Sequence, residues 1–420
     1  MIFDMHHNLL SWLIAACAMA GVITRPFKWP EAVWAVGGAT LILLLGLLPL
    51  HDALTALGKG TDVYLFLTGM MVLSEVARRE GLFEWVAVLT VNHARASPKR
   101  LFLLVYIVGT VVTTFLSNDA TAVVLTPAVF AAAKKAEARA LPLLFVCAFI
   151  ANAASFVLPI SNPANLVLYG NHMPALGHWL ERFALPSLCS IAATYVALRW
   201  TQRGDLDGTC KKDLQHDPLS ANGCLALAGI GVTAVALLMV SMLDMPLGLP
   251  TAILAALIAS ILLIRRRMSP WPLIKDISWS VLPLVAGLFV LVETLHRTGV
   301  IDMLAVALSG GARHAEISTA AISGVTIAVS SNALNNLPAG LIASATVALA
   351  HSPQRVIDAL LIGVDLGPNL SITGSLATIL WLQAIRREGE DVSFWTFLKV
   401  GACVMPPALL LAIAMRMLIA

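Results

Sequence analysis

The sequence predicts an all-α polytopic membrane protein made of two inverted-topology repeats, each with a re-entrant hairpin and a discontinuous transmembrane helix. Three observations carry that expectation. The 420-residue chain is 59% hydrophobic and 12% charged, where a soluble domain carries about 25% charged residues. Its apolar runs, such as 32–50 and 251–264, are of helix length, and no alternating segments of about ten residues suggest a barrel. Short polar runs interrupt the apolar ones at corresponding places in the two halves.

The apolar segment 9–20 ends in small residues as a signal peptide would, but Asp4, His6 and His7 precede it and no Lys or Arg does. Signal peptides begin basic, so this is read as the first transmembrane helix, about 9–24, with its N-terminus outside. Helices at about 31–50 and 62–78 follow, then a shorter piece at 81–93 with charge at both ends. Two apolar arms of about 100–133, each too short to cross a bilayer alone, flank the polar run Ser117-Asn118-Asp119 and read as a hairpin. Next comes a span at about 141–170, interrupted around Pro159-Ile160-Ser161-Asn162-Pro163, and a helix at about 179–200. Residues 1–200 form the first repeat.

Residues 201–220 are polar and punctuated by Gly and Pro, and they are the one real linker. Residues 221–420 repeat the order: 222–243, 247–264, 279–296, 299–309, a hairpin at about 315–350, an interrupted span at about 356–385 and a last helix at 393–418. Gly69, Glu75, Gly81 and Glu84 correspond to Gly287, Glu293, Gly299 and Asp302, each displaced by 218 positions. The second hairpin is expected to place Ser331-Asn332 where the first has Ser117-Asn118.

Charge tests the topology. With the N-terminus outside and hairpins returning to their own side, 21 of the 27 basic residues fall in cytoplasmic segments and 6 outside, as the positive-inside rule requires. Each half then crosses five times, so the second must be inverted relative to the first. Inverted repeats with broken helices at mid-membrane are the architecture of secondary transporters.

Non-helical backbone at membrane depth is tolerated only within protein or beside a water-filled cavity. The four breaks, 117–121, 159–165, 331–338 and 367–374, are therefore expected to converge. Their polar residues are the candidate substrate-binding set: Ser117, Asn118, Thr121, Asn162, Asn165, Asn332, Asn335, Asn336, Asn369 and Thr373. The competing reading is that Ser, Thr and Asn only hold helices together; four clusters at related places favour a site. No break contains Arg, Lys or His, which favours a small neutral polyhydroxy solute or a small ion over a multiply charged anion.

Carboxylates inside a membrane are costly and functional by default, and a carboxylate out of water holds a proton more tightly. Asp119 and then Asp365 are the first candidates for proton coupling. Glu75 and Glu293 follow, with pairing to Arg78, Arg79 or Arg297 as their alternative role. Asn162-Pro163-Ala164 matches the tripeptide of aquaporin-type channels, but those need two copies and the chain has one. No Walker loop, nucleophile elbow or zinc spacing points to an enzyme. The six cysteines form no C-x-x-C pair. No cofactor, metal site or nucleic-acid partner is expected.

With these segments in hand, the chain resembles the bacterial arsenite efflux permeases, the ArsB family of the ion transporter superfamily. The resemblance rests on FLSNDATAVVLTP (115–127), ANAASFVLPISNPANL (151–166), NALNNLPAG (332–340) and GVDLGPNLSITG (363–374). Related dicarboxylate carriers place Ser-Asn-Thr at both hairpin tips, whereas this chain has Ser-Asn-Asp and Ser-Asn-Ala, which argues against a carboxylate substrate. The resemblance implies export of As(OH)3, and of Sb(OH)3, across the bacterial inner membrane, driven by the proton gradient. It also implies, for some members, a soluble ATPase subunit on the cytoplasmic side. A homodimer through the scaffold helices is a further expectation. The rivals are a Na+/H+ antiporter, with Asp119 and Asp365 as ion ligands, and a passive metalloid or solute channel. The linker is a candidate ATPase docking place, with a solvated loop as the plainer reading.

None of the six cysteines falls in a break, so thiol coordination is not expected in transport. A variant with all six replaced is expected to keep arsenite transport in vesicles; loss of it would show that a thiol is needed.

Overall fold

The computed structural model describes residues 2–170, 173–211, 214 and 218–419, and of residues 2–6 the backbone alone. Lys212, His216 and the side chains of Asp4 and His6 lie outside the described residues. Among these residues the secondary structure is helical, with no strand.

In order, the chain forms α1 (Ile2–Thr24), α2 (Glu31–Leu44), α3 (Leu50–Lys59), α4 (Thr61–Arg79), α5 (Leu82–His93), α6 (Pro98–Leu116), the single turn α7 (Asn118–Ala120) and α8 (Thr126–Lys135). Then come α9 (Ala140–Ala153), α10 (Pro163–Tyr169) and α11 (Leu176–Thr201). The second half runs α12 (Ala221–Met242), α13 (Gly248–Arg266), α14 (Trp271–Asp276), α15 (Val281–Arg297), α16 (Val300–His314), α17 (Glu316–Leu334), α18 (Asn336–Ala350), α19 (Gln354–Leu366), α20 (Leu376–Arg387) and α21 (Phe394–Leu418). Seven described helices are long and apolar enough to cross a membrane, and α15 with α16, bent by 73° between them, would make an eighth.

Two elements differ from expectation. The run 31–50 is not one helix: α2 ends at Leu44, Gly46 takes φ 67°, and a separate helix α3 starts after Pro49. Glycine adopts positive φ freely and proline cannot continue a helix, so the chain turns there. α14 is a second short helix that the polar segment before α15 gave no sign of.

The broken helices lie at the centre. Residues 142–153 of α9, apolar apart from Asn152, and 358–366 of α19, which include Asp358 and Asp365, are buried on every side. The two halves interleave around them: α2 packs on α15, α4 on α13, α11 on α21, and α10 on α18.

The repeated four-residue pattern has a structural reason at each position. Gly69 on α4 lies against Thr251 of α13, and Gly287 on α15 against Ala35 of α2; a Cβ at either would come within 2.7 Å of a backbone atom. Small residues let membrane helices approach closely. Gly81 and Gly299 take φ 73° and 83° at the turns into α5 and α16. Glu84 and Asp302 sit in the first turns of those helices, where a negative charge suits the helix dipole. Glu75 and Glu293 are both paired with cations: Glu75 with Arg78 and Arg79 at 2.6 Å, and Glu293 with Lys59 at 2.9 Å.

The linker is not a free loop over its described part. The backbone N–H groups of Cys210 and Lys211 bond the carbonyls of Ala96 and Ala136, at 3.1 and 2.7 Å. Lys99–Asp207, Arg139–Asp205 and Lys211–Glu137 pair across the same contact. It thus straps both outer ends of the α6–α8 hairpin.

Because Gly69 and Gly287 meet backbone, G69A and G287A are each expected to lower the thermal stability of the detergent-solubilised protein, with an overpacking cost of about 1–3 kcal/mol. G37A, which meets no neighbour, is the control. Equal unfolding temperatures for all three would refute the close-packing role.

Candidate functional site

The first break is made by one residue. α6 ends at Leu116, Ser117 takes φ 89°, ψ 161°, and Asn118 opens the next turn. A five-residue π-helical stretch, Thr121–Leu125, then leads into α8. In the second hairpin Asn335 takes φ 72°, ψ 152°, and Asn336 opens α18. This backbone region is nearly reserved for glycine and costs about 1–3 kcal/mol per residue. Ser117 and Asn335 are 218 positions apart, the same displacement as the glycines.

That corrects the expected register of the second tip. Ser331 and Asn332 are not the counterparts of Ser117 and Asn118; they lie on the last turn of α17. Ser331 Oγ and Asn332 Nδ2 both donate to the Ala328 carbonyl, at 2.9 and 2.8 Å, within the helical turn. The break waits for Asn335, because asparagine tolerates positive φ.

The two interrupted spans lock each other. α9 stops at Ala153 and resumes as α10 with Asn162 as its cap, whose Oδ1 accepts from the Ala164 N–H at 3.0 Å. α19 stops at Leu366 and resumes as α20 with Ser375 as its cap, accepting from the Thr378 N–H at 3.1 Å. Asn162 Nδ2 donates to Asp365 Oδ1 at 2.8 Å, so the cap of α10 is held by the last turn of α19. Ser375 Oγ donates to Asn152 Oδ1 at 3.4 Å, so the cap of α20 is held by the last turn of α9. Asn152 to Asp365 and Asn162 to Ser375 are both displacements of 213. The brace is therefore reciprocal, with asparagine on one side and aspartate on the other.

Most predicted polar residues are engaged in this framework. Thr121 bonds Thr113 at 2.8 Å, and its carbonyl accepts from Thr126. Asn165 donates to the carbonyls of Ser155, Leu158 and Pro159. Asn332 donates to the Gly367 carbonyl and accepts from Ser371, and Thr373 bonds the Asn332 carbonyl. Asn369 bonds Asn152 and the Phe149 carbonyl. Asn335 caps α18 through the Leu337 N–H at 3.4 Å, and Asn336 is buried in its first turn. Among the predicted site residues, three buried acceptors have no partner: Asn118 Oδ1, Asn165 Oδ1 and Asp365 Oδ2.

Asp119 faces a cleft of about 70 Å³, lined also by Leu67, Glu75, Ser117, Pro163 and Asp276. No Lys, Arg or His lines it. Arg78 and Arg79 stand at its rim and hold Glu75 and Asp276 together, at 2.6 to 3.0 Å. Glu293 is remote from this cleft, in a cluster with Lys59 and Arg297, which also pairs with Asp52. The structure thus brings Ser117, Asp119 and Glu75 to one cleft, and sets Asp365 behind Asn162, one residue from the cleft-lining Pro163.

Sequence reading missed two features. Asn152, alone in the apolar α9, is a brace residue; its sequence signal was a single amide in an apolar run. Asp358 and Arg416 form a wholly buried pair at 2.7 Å, joined by Tyr169 and Gln354. The pair ties the end of α10 to α19 and α21, and a buried guanidinium needs such a partner.

A family profile described as "Citrate transporter" matches residues 15–364. The chain belongs to the CitMHS family. Relatives within reach of this CitMHS chain include an uncharacterized transporter of Mycobacterium tuberculosis, 28% identical over 86% of each chain. Others are arsenical pump membrane proteins of Escherichia coli, 26% identical over 97% of each chain in one case and 25% in the K12 strain. Among solved structures, the Alcanivorax borkumensis YdaH transporter, described as having an unusual topology, superposes with TM-score 0.59 over 87% of this chain and 86% of its own, at 15% identity. The chain is thus a multi-pass membrane transporter with an ArsB-like kinship.

The brace makes a quantitative claim. D365A and N162A are expected to be non-additive in unfolding measurements in detergent, with a coupling of about 1 kcal/mol. Additive effects would mean that the two residues do not share a bond that matters.

Proposed function

We propose that this CitMHS-family chain is a secondary active exporter of arsenite, and of antimonite by the same chemistry, driven by proton entry through alternating access. The observation that carries the reading is the lining of the cleft: three carboxylates, Glu75, Asp119 and Asp276, and no cation. Arg78 and Arg79 at the rim are already paired with Glu75 and Asp276, so a tricarboxylate such as citrate would find no free cation there and would face Asp119, and like charges in a low-dielectric site cost several kcal/mol. An uncharged trihydroxy solute meets only hydrogen-bonding groups. The arsenical pump relatives support the same choice.

The element order supports two inverted repeats, 1–200 and 221–420, with the N-terminus outside and the linker inside. In that orientation the Glu75–Arg79 end of α4, the strapped linker and the Asp119 cleft share the cytoplasmic side. Arsenite would enter the cleft from the cytoplasm and bind at Ser117 and Asn118, with the unpartnered Asn118 Oδ1 accepting from a substrate hydroxyl. Asp119 exchanges the coupling proton. The hairpins and broken helices are the moving unit, and α1, α2, α4, α12, α13 and α15 are the scaffold.

A Na+/H+ antiporter is the second reading, favoured by the unpartnered Asp365 Oδ2 and Asn118 Oδ1, since two buried oxygen acceptors suit a small cation.

Everted vesicles separate these. Arsenite uptake that rises with an imposed pH gradient supports the proposal; sodium-stimulated proton flux without arsenite uptake supports the alternative. D119N is expected to cut gradient-driven uptake by about tenfold or more, the scale of removing a positioned proton carrier. Normal uptake with a normal pH profile in D119N would remove Asp119 from the mechanism.

A further inference from the structure

Two clefts approach each other from opposite ends of α4. One is the Asp119 cleft. The other is a vestibule of about 630 Å³, lined by Asp62, Leu166, Gly170, His178, Arg182 and Gln354 among others. Asp62 stands at the start of α4, where its carboxylate accepts from the Gly248 N–H at 2.7 Å. Glu75 stands near the other end, thirteen residues away, about 20 Å along a helix.

The same two helices line both spaces. On α4, Asp62 belongs to the vestibule and Leu67 to the cleft; on α10, Leu166 belongs to the vestibule and Pro163 to the cleft. At 1.5 Å per residue these separations are about 7.5 Å and about 4.5 Å, against a hydrocarbon core of about 30 Å. α4 and α10 pack directly on each other. What lies between is apolar and closed: Val63, Phe66, Leu67, Ala164 and Leu166 are all buried, with Leu67 and Leu166 only 2% and 3% exposed. Two polar side chains lie on these stretches: Asn165, whose Nδ2 donates to three carbonyls, and the half-buried Tyr64, whose ring packs edge-on to Phe289.

We propose that the α4–α10 seam is the permeation path and that Leu67 and Leu166 are its gate. The barrier between the two spaces is about one helical turn of aliphatic side chain. A polar solute is excluded by its desolvation cost, and a displacement of α10 of the size of one side chain is enough to admit it. The inference rests on the transport reading but not on the identity of the substrate.

The test uses the full chain with its six cysteines replaced, in right-side-out and inverted membrane vesicles, and a membrane-impermeant methanethiosulfonate reagent. Single cysteines are placed at the half-buried Val123 of the cleft and Met173 of the vestibule. V123C is expected to react from the cytoplasmic face alone and M173C from the opposite face alone. Adding L166A, or L67A as an independent variant, to V123C is expected to raise its labelling from the opposite face several-fold. The same variants are expected to leak arsenite downhill without a pH gradient. Reaction of V123C and M173C from the same face would overturn the proposal, as would opposite-face labelling of V123C that stays at background with both L166A and L67A. If the labelling pattern holds while the unmutated gate carries no arsenite under any gradient, the substrate reading fails and the gate stands.

Discussion

An interrupted helix leaves unpaired N–H and C=O groups that lipid cannot satisfy, and the rest of this structure depends on how two such interruptions are closed. Each broken span supplies the other with what it lacks. Asn162 caps α10 and is itself held by Asp365 at the end of the first arm of α19. Ser375 caps α20 and is held by Asn152 at the end of the first arm of α9. Neither span can be completed alone, so the breaks must meet. Once they meet, the hairpins have one place to go: Ser161 Oγ bonds the Thr114 carbonyl at the end of α6, and Asn332 at the end of α17 bonds the Gly367 carbonyl. Four breaks thus converge as a consequence of backbone satisfaction, before any ligand is considered.

Much of this was legible in the sequence, for reasons that are local. Apolar runs of helix length and the polar runs that split them mark the elements directly, and the displacement of 218 relates positions whose backbones match, such as Gly81 with Gly299 and Ser117 with Asn335. The second tip was misplaced because Ser331-Asn332 imitates Ser117-Asn118 in residue type, while the chain breaks by backbone conformation. Composition carries the first kind of signal and not the second. The pair Asp358–Arg416 was hidden because its members are 58 positions apart and each sits near the end of an apolar segment, where a solvated charge is the ordinary expectation. The strap was hidden because its partners, at 96, 99, 136, 137 and 139, are set by the hairpin it clamps. The candidate polar residues were legible as a set, but which of them are engaged by the framework is a property of three dimensions.

The sequence correspondence between the halves is also informative where it fails. Asp119 stands 218 positions before Leu337, and Asp365 stands 213 positions after Asn152. Each acid has a neutral counterpart. Asp119 and Asp365 thus have no matching acid at the corresponding positions of the other half. In the proposed cycle, the difference between the halves is therefore where protons enter the energetics, since matched residues contribute alike to both orientations.

The short helix α10 connects these features. Its cap Asn162 holds Asp365, its first residue Pro163 lines the Asp119 cleft, and Leu166, one turn on, lines the vestibule. A movement of α10 that shifts Leu166 also loads the Asn162–Asp365 bond. That bond is strongest when Asp365 is ionised, because a hydrogen bond to a charged acceptor is about twice as strong as a neutral one. In the proposed cycle, protonating Asp365 would weaken the hold on α10 and favour displacement of the gate, and releasing the proton would restore the brace and the seal. One seven-residue helix thus carries the brace, the lining and the proposed gate, so in the proposed cycle gate movement and the Asn162–Asp365 hydrogen bond are mechanically linked.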